Sequence, residues 1–152
     1  MPTIRLFLLA LSLLTLAACQ PKNRGAVTDP TNKNKMTAEI PVPSAWAIVS
    51  YTANGQKSQA VNDRGFVAIR EQQIGGNTGC NSFGGDFTGS PAKMKVGGVA
   101  ATKMFCAEAN EQEQTVLQLL RGNVTASMDG DLLVLSGNKH SLTLRRDDDR
   151  LQ

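Results

Sequence analysis

The stretch Val124–Leu144, VTASMDGDLLVLSGNKHSLTL, decides the fold. Val124, Ala126 and Met128 alternate with Thr125, Ser127 and Asp129, the period of a half-buried strand. Asp129-Gly130 is a dipeptide that tolerates positive φ and turns a strand back on itself. Asp131 to Leu135 returns, Ser136-Gly137-Asn138-Lys139 turns again, and Leu142 and Leu144 mark a third strand. Strands joined this tightly are antiparallel, because a parallel pair needs a crossover of roughly a dozen residues or more.

Upstream, Asn110-Glu111-Gln112-Glu113 reads as a helix N-cap with Glu at the third helical position, a relative of the capping box. Val116, Leu117 and Leu120 follow as an apolar stripe, with Arg121 in the last turn and Gly122 as C-cap. A helix is therefore expected from about Glu111 to Arg121. It is too short to be stable alone, so its stripe packs on the sheet. Earlier still, Ala45 to Tyr51 (AWAIVSY) reads as a buried strand, and Phe66 to Gln72 as a second. Ser82 to Gly89 places Phe83, Gly85 and Phe87 on one face and Gly84, Asp86 and Thr88 on the other. Lys93-Met94-Lys95-Val96 alternates, and Val99 to Phe105 is a further strand. The expected architecture is α+β, an antiparallel, barrel-like β-sheet of short strands with one helix covering it or plugging one end. The tail Asp147-Asp148-Asp149-Arg150 is expected to fray.

Composition narrows the function. Of the 62 hydrophobic residues, 13 lie in residues 1–18, so the other 134 residues hold 49, about 37%. A formal charge of +3 is too balanced for a dedicated nucleic-acid binder, so no nucleic-acid partner is expected. One histidine, His140, excludes a His-cluster metal site and weakens most His-based catalysis. No cofactor and no metal are expected.

The N-terminus carries an address. Arg5 is a positive n-region, Leu6 to Leu16 an apolar h-region, and Leu16-Ala17-Ala18 a small-residue cleavage site. The run is too short to span a membrane. A plain signal peptide would fit. Leu16-Ala17-Ala18-Cys19, however, resembles the lipobox of bacterial lipoproteins. That resemblance implies cleavage between Ala18 and Cys19, a diacylglycerol thioether on Cys19, and a third acyl chain such as palmitate on its new α-amine. Two or more chains hold a protein on a bilayer where one does not. Gln20, rather than Asp, at the next position implies sorting to the outer membrane, facing the periplasm. Residues 20–43 are rich in Pro, Asn, Lys and Thr and read as a tether, with Lys22, Arg24, Lys33 and Lys35 solvated or near anionic head groups. The chain thus divides into a signal peptide (1–18), a lipid anchor and tether (19–43), a domain (44–146) and a charged tail (147–152).

With Cys19 lipidated, Cys80 and Cys106 remain, and in an oxidising compartment they are expected to form a disulfide. They lack the C-x-x-C spacing of a redox-active pair. Gly75-Gly76-Asn77-Thr78-Gly79-Cys80-Asn81-Ser82-Phe83-Gly84-Gly85 is glycine-rich but has neither the lysine nor the following helix of a phosphate cradle. Its glycines are expected at bends and bulges.

Trp46 in an early strand, Gly79-Cys80-Asn81-x-Phe83-x-Gly85, and Thr102-x-Met104-x-Cys106 together resemble the META domain. A Glu-rich helix and a terminal Gly130-Asp131-x-Leu133-x-Leu135 hairpin complete the likeness, which covers roughly residues 44–146. The near relatives are HslJ-like heat-shock lipoproteins of Gram-negative bacteria. The resemblance implies a small α+β barrel, an envelope location, and a link to heat shock and novobiocin resistance without a catalytic residue set. Trp46, Gly79, Asn81, Phe83, Gly85, Thr102 and Met104 transfer as structural hallmarks.

Other candidates have plainer explanations. His140 beside a hairpin turn is expected to be solvent-exposed. Ser82, Asp86 and His140 have the letters of a triad but no nucleophile elbow. Glu108, Glu111 and Glu113 are expected to serve capping and the helix dipole. The reading is a non-enzymatic envelope lipoprotein that binds an envelope protein or small molecule and supports stress tolerance. The alternative is a periplasmic inhibitor or assembly chaperone, such as a lysozyme-inhibitor-like barrel, although a Ser-Gly-x-x-Tyr inhibitory loop is missing. An enzyme would need two convergent titratable groups in a pocket.

Overall fold

A computed structural model describes residues 39–152. Its elements are β1 (Ser44–Ala53), β2 (Gln56–Gln59), β3 (Phe66–Arg70), β4 (Gln73–Asn77), β5 (Ser82–Ser90) and β6 (Lys93–Ala101). A 3-10 turn (Ala107–Ala109) then leads into α1 (Asn110–Leu119). β7 (Gly122–Asp129), β8 (Leu132–Gly137), β9 (His140–Arg146) and a 3-10 turn (Asp148–Leu151) follow. The expected signal peptide, the expected cleavage site between Ala18 and Cys19, the expected lipidation of Cys19 and most of the expected tether lie outside the described residues.

Every strand pairing is antiparallel. Neighbours run β1-β3-β4-β5-β6-β7-β8-β9, and β9 pairs back onto β1, so eight strands close into a barrel. The short β2 shares an edge of β1 with β3: Ser44–Ala47 pair with β3, Ser50–Ala53 with β2. Closure leaves no long free edge, which protects a chain of short strands from edge-to-edge association. The expected β7–β8–β9 meander is present with the expected turns.

Two irregularities set which side chains reach the interior. On β1, Val49 is an extra residue between Ile48 and Ser50. The bulge shifts the phase, so Trp46 and Ile48 before it and Tyr51 after it all join the core. Between β5 and β6, Gly97 and Gly98 oppose the single Asp86. Phe83 and Phe87 point inward on either side. The interior is filled by Val67, Ile69, Ile74, Met94, Leu133, Leu135, Leu142 and Leu144, each at most 2% exposed.

The helix closes one end. Val116, Leu119 and Leu120 are fully buried and belong to the same cluster as the barrel leucines. The first turn of α1 meets the β4–β5 loop, where Gln112 Nε2 donates to the Thr78 carbonyl at 2.6 Å. Its last turn meets the β8–β9 turn, where Asn138 Nδ2 donates to the Gln118 carbonyl at 3.2 Å. The opposite pole carries the β3–β4, β5–β6 and β7–β8 turns. The incoming chain arrives there, with Ile40 and Val42 beside Pro91 and Ala92.

Several expectations need correction. Ile40 is only 4% exposed and sits in the core, so the end of the stretch assigned to the tether is part of the packed body. Composition hid this, because Ile40 and Val42 alternate with Pro41 and Pro43. Val99–Phe105 is not a separate strand: β6 runs unbroken from Lys93 and stops at Ala101. Asn110 does not cap the helix. Ala109 is the N-cap and makes no side-chain cap bond, and Asn110 Oδ1 instead accepts from Gln114 Nε2. Gly122 is not the C-cap, which is Leu120; with φ of +94°, Gly122 opens β7.

The tail is not frayed. Asp147 N donates to the Ala45 carbonyl at 2.8 Å, and Ala45 N donates to Asp148 Oδ1 at 3.0 Å. Arg146 stacks on Trp46 and Arg150 on Phe66, with cation–centroid distances of 5.0 and 5.5 Å. The Arg146 guanidinium, and then the Ala45 amide, hold the Asp148 carboxyl below its usual value. His140 is not solvent-exposed either: it is 9% exposed and its Nε2 lies 3.0 Å from Gln118 Oε1. The end of the helix folds over the turn that was expected to expose it.

Candidate functional site

Of the residues singled out in the sequence, Gly79, Cys80, Asn81, Thr102, Met104 and Cys106 converge beside the first turn of α1. The β4–β5 loop is a tight turn: Thr78 N donates to the Asn81 carbonyl, and Asn81 N donates to Thr78 Oγ1. Gly79 adopts φ of +103°, which favours glycine, and a Cβ there would come within 2.8 Å of Gln112 Nε2. Gly85 faces the bulge, where a Cβ would meet the Gly98 carbonyl at 2.6 Å. Phe83 anchors the start of β5 in the core, and Trp46 does the same for β1.

Asn81 is fully buried and organises the loop that follows β6. Its Oδ1 accepts from Met104 N at 2.7 Å and from Thr102 Oγ1 at 2.8 Å. Its Nδ2 donates to the Met104 carbonyl at 2.9 Å and to Glu113 Oε2 at 2.7 Å. An Asn amide offers two donors and two acceptor positions, and all four are used. Thr102 completes the join, with its N on the Ser82 carbonyl and its Oγ1 accepting from Ser82 N. On the far side, Cys106 is disulfide-bonded to Cys80, with Cα atoms 6.1 Å apart.

The consequence is a pinned loop with an apolar tip. Both polar backbone groups of Met104 are tied to Asn81, and Cys106 is tied covalently. Phe105 lies between these fixed points. Among the described residues, Met104 (61% exposed) and Phe105 (88%) are the exposed large hydrophobics. Beside them is a depression of about 250 Å³ with Val99, Ala101 and Leu117 as its apolar lining and Lys103, Glu113 and Arg121 around it.

The glutamates have roles other than capping. Glu113 Oε2 holds Asn81 and also accepts from Thr78 Oγ1. Glu111 Oε2 accepts from the Tyr51 hydroxyl at 3.0 Å. Burial first, then the Glu111 carboxylate, raises the Tyr51 pKa above its ordinary 10.0. The triad letters have separate surroundings. Asp86 accepts from Gln73 in the β4–β5 ladder, His140 meets Gln118, and the Ser82 backbone is bound to Thr102. Glu108 is exposed on the 3-10 turn. Among the described residues, no group of three or more His, Cys, Asp or Glu is placed to hold a metal.

Sequence reasoning missed Gln112. It is fully buried, accepts from Val61 N and donates to Thr78 O, latching the helix to two loops. The signal was present: 112, 116 and 119 share one helix face, and a polar residue on an apolar stripe marks a buried hydrogen bond.

A closed antiparallel barrel, one helix across its end and a disulfide-pinned loop define a small α+β barrel domain. The chain belongs to the META domain family, whose model matches residues 39–149. It is 25% identical over 138 residues to heat shock protein HslJ of Escherichia coli (strain K12), covering 90% of each chain. A protein solved by NMR is 26% identical, with a TM-score of 0.54 over 69% of this chain and 90% of that one. Another NMR structure, from Burkholderia xenovorans, shares the fold at 19% identity. Its TM-score is 0.56 over 70% of this chain and 83% of that one.

Proposed function

We propose that this chain is a non-enzymatic envelope lipoprotein, anchored through acyl chains on Cys19, that acts by binding and supports tolerance of heat or antibiotic stress. The observation carrying the binding role is the use made of the family motif. Gly79, Asn81, Thr102 and the Cys80–Cys106 bond all hold one loop that exposes Met104 and Phe105. The filled interior directs binding to the outer surface. The stress role is supported by the likeness to a relative named a heat shock protein. The anchor is supported by the Leu16-Ala17-Ala18-Cys19 pattern and by Gln20, which favour the outer membrane facing the periplasm.

Globomycin treatment and Cys19→Ala test the anchor: both are expected to leave unprocessed or soluble protein. Wild-type protein that is neither lipidated nor membrane-associated would refute it. The stress role is tested by survival of a deletion strain under heat and novobiocin, with rescue expected from the wild-type gene. A lysozyme-inhibitor role draws no support from the only tyrosine, Tyr51, which is buried with its hydroxyl on Glu111. No lysozyme inhibition is expected.

A further inference from the structure

The barrel has two unlike poles. The chain arrives at the pole of the β5–β6 turn, with Ile40 beside Pro91 and Ala92. The Met104–Phe105 tip follows β6 at its other end, on the helix pole. A nine-residue strand separates them, about 30 Å at 3.3 Å per residue. Around the helix pole stand exposed Lys57, Arg64, Lys103, Arg121 and Lys139, with Asp63 and Glu108 as exposed carboxylates, while Glu111 and Glu113 are occupied by Tyr51 and Asn81.

We propose that Met104 and Phe105 are the docking tip of this domain, and that they seat in an apolar socket rimmed by carboxylates on another envelope protein. The proposal rests on the reading of Cys19 as the anchor. Its argument is geometric and electrostatic. An exposed aromatic held between two fixed points loses little conformational freedom on binding, which is the property of an interface anchor. The loop cannot fold inward, because Asn81 and the disulfide fix both flanks. Lys103 and Arg121 at the rim of the adjoining depression complement an acidic surround, speeding encounter and selecting the partner. A tether of about 20 residues spans up to roughly 70 Å, so the bilayer itself is the competing occupant.

The test uses the full lipidated chain in intact envelopes, with a benzophenone amino acid replacing Phe105 and, as control, the exposed Thr88. Position 105 is expected to give a protein adduct that position 88 does not, identifiable by mass spectrometry. Adding Lys103→Glu is expected to reduce that adduct at least tenfold. The identified protein, purified, is expected to bind the wild-type chain, and Phe105→Ser to weaken binding at least tenfold with an unchanged melting temperature. Adducts to lipid, adducts to a second copy of this chain, the same adducts at both positions, or no adduct would each overturn the proposal. Failure of the anchor reading is distinguishable: Cys19→Ala would then fractionate like wild type, whatever position 105 captures.

Discussion

Asn81 shows how a motif residue works at the scale of single atoms. It sits between a carboxylate and a backbone amide, and only a side-chain amide satisfies both. Asn81→Asp keeps the shape but replaces two donors with an acceptor facing Glu113 Oε2, 2.7 Å away. It is expected to cost about 2–4 kcal/mol in urea unfolding at neutral pH. Thr102→Val, which removes one hydroxyl from the cluster, is expected to cost about 1 kcal/mol. Tyr51 supplies a pH test. Its folded pKa is raised, so the folded state favours the protonated phenol. The stability this contributes is fully present below pH 10 and is lost as pH rises through the raised value. Stability is expected to fall at alkaline pH, and Tyr51→Phe to flatten that fall. Legibility at this scale was uneven. The cysteines and Asn81 stood out as a pattern. The work of Asn81 did not, because its partners Met104 and Glu113 lie 23 and 32 residues away.

Elements were legible where turn chemistry and alternation agreed. β7, β8 and β9 satisfy both. β2 (QKSQ) and β4 (QIGGN) were missed because neither carries an apolar alternation. β2 is on the outside and largely exposed, and β4 puts glycines against its neighbours. A turn signal for β2 was there in Asn54-Gly55, both with positive φ. The helix was placed correctly to within a residue or two, but its start was explained wrongly, since Glu113 is held by Asn81 rather than by a cap. Glycines separate local from tertiary demands. Gly79→Ala meets both a positive φ and Gln112, and is expected to cost about 1–3 kcal/mol. Gly84→Ala, with nothing within 4 Å, is expected to change stability by less than about 0.5 kcal/mol.

At the largest scale, the described residues form a barrel closed by hydrogen bonds, capped by a helix and cross-linked by one disulfide. The disulfide spans 26 residues, for which chain entropy gives about 3.5 kcal/mol. Reduction is therefore expected to lower the unfolding midpoint while leaving the far-ultraviolet spectrum unchanged, because the closing β1–β9 ladder does not involve the cysteines. The closure itself could not be read from the sequence. It depends on β9 finding β1 nearly a hundred residues away, and on a bulge at Val49 that no local pattern announces. What was legible was the kind of sheet, the single helix and the residues that join them.

The most direct measurement is amide hydrogen exchange at Met104 in the oxidised protein. If Asn81 and the disulfide pin the tip, the Met104 amide is as protected as those of Leu133 and Leu144 in the barrel, and Asn81→Ala abolishes its protection while theirs persists. Exchange of Met104 at the rate of an unstructured chain in the wild-type protein would contradict it.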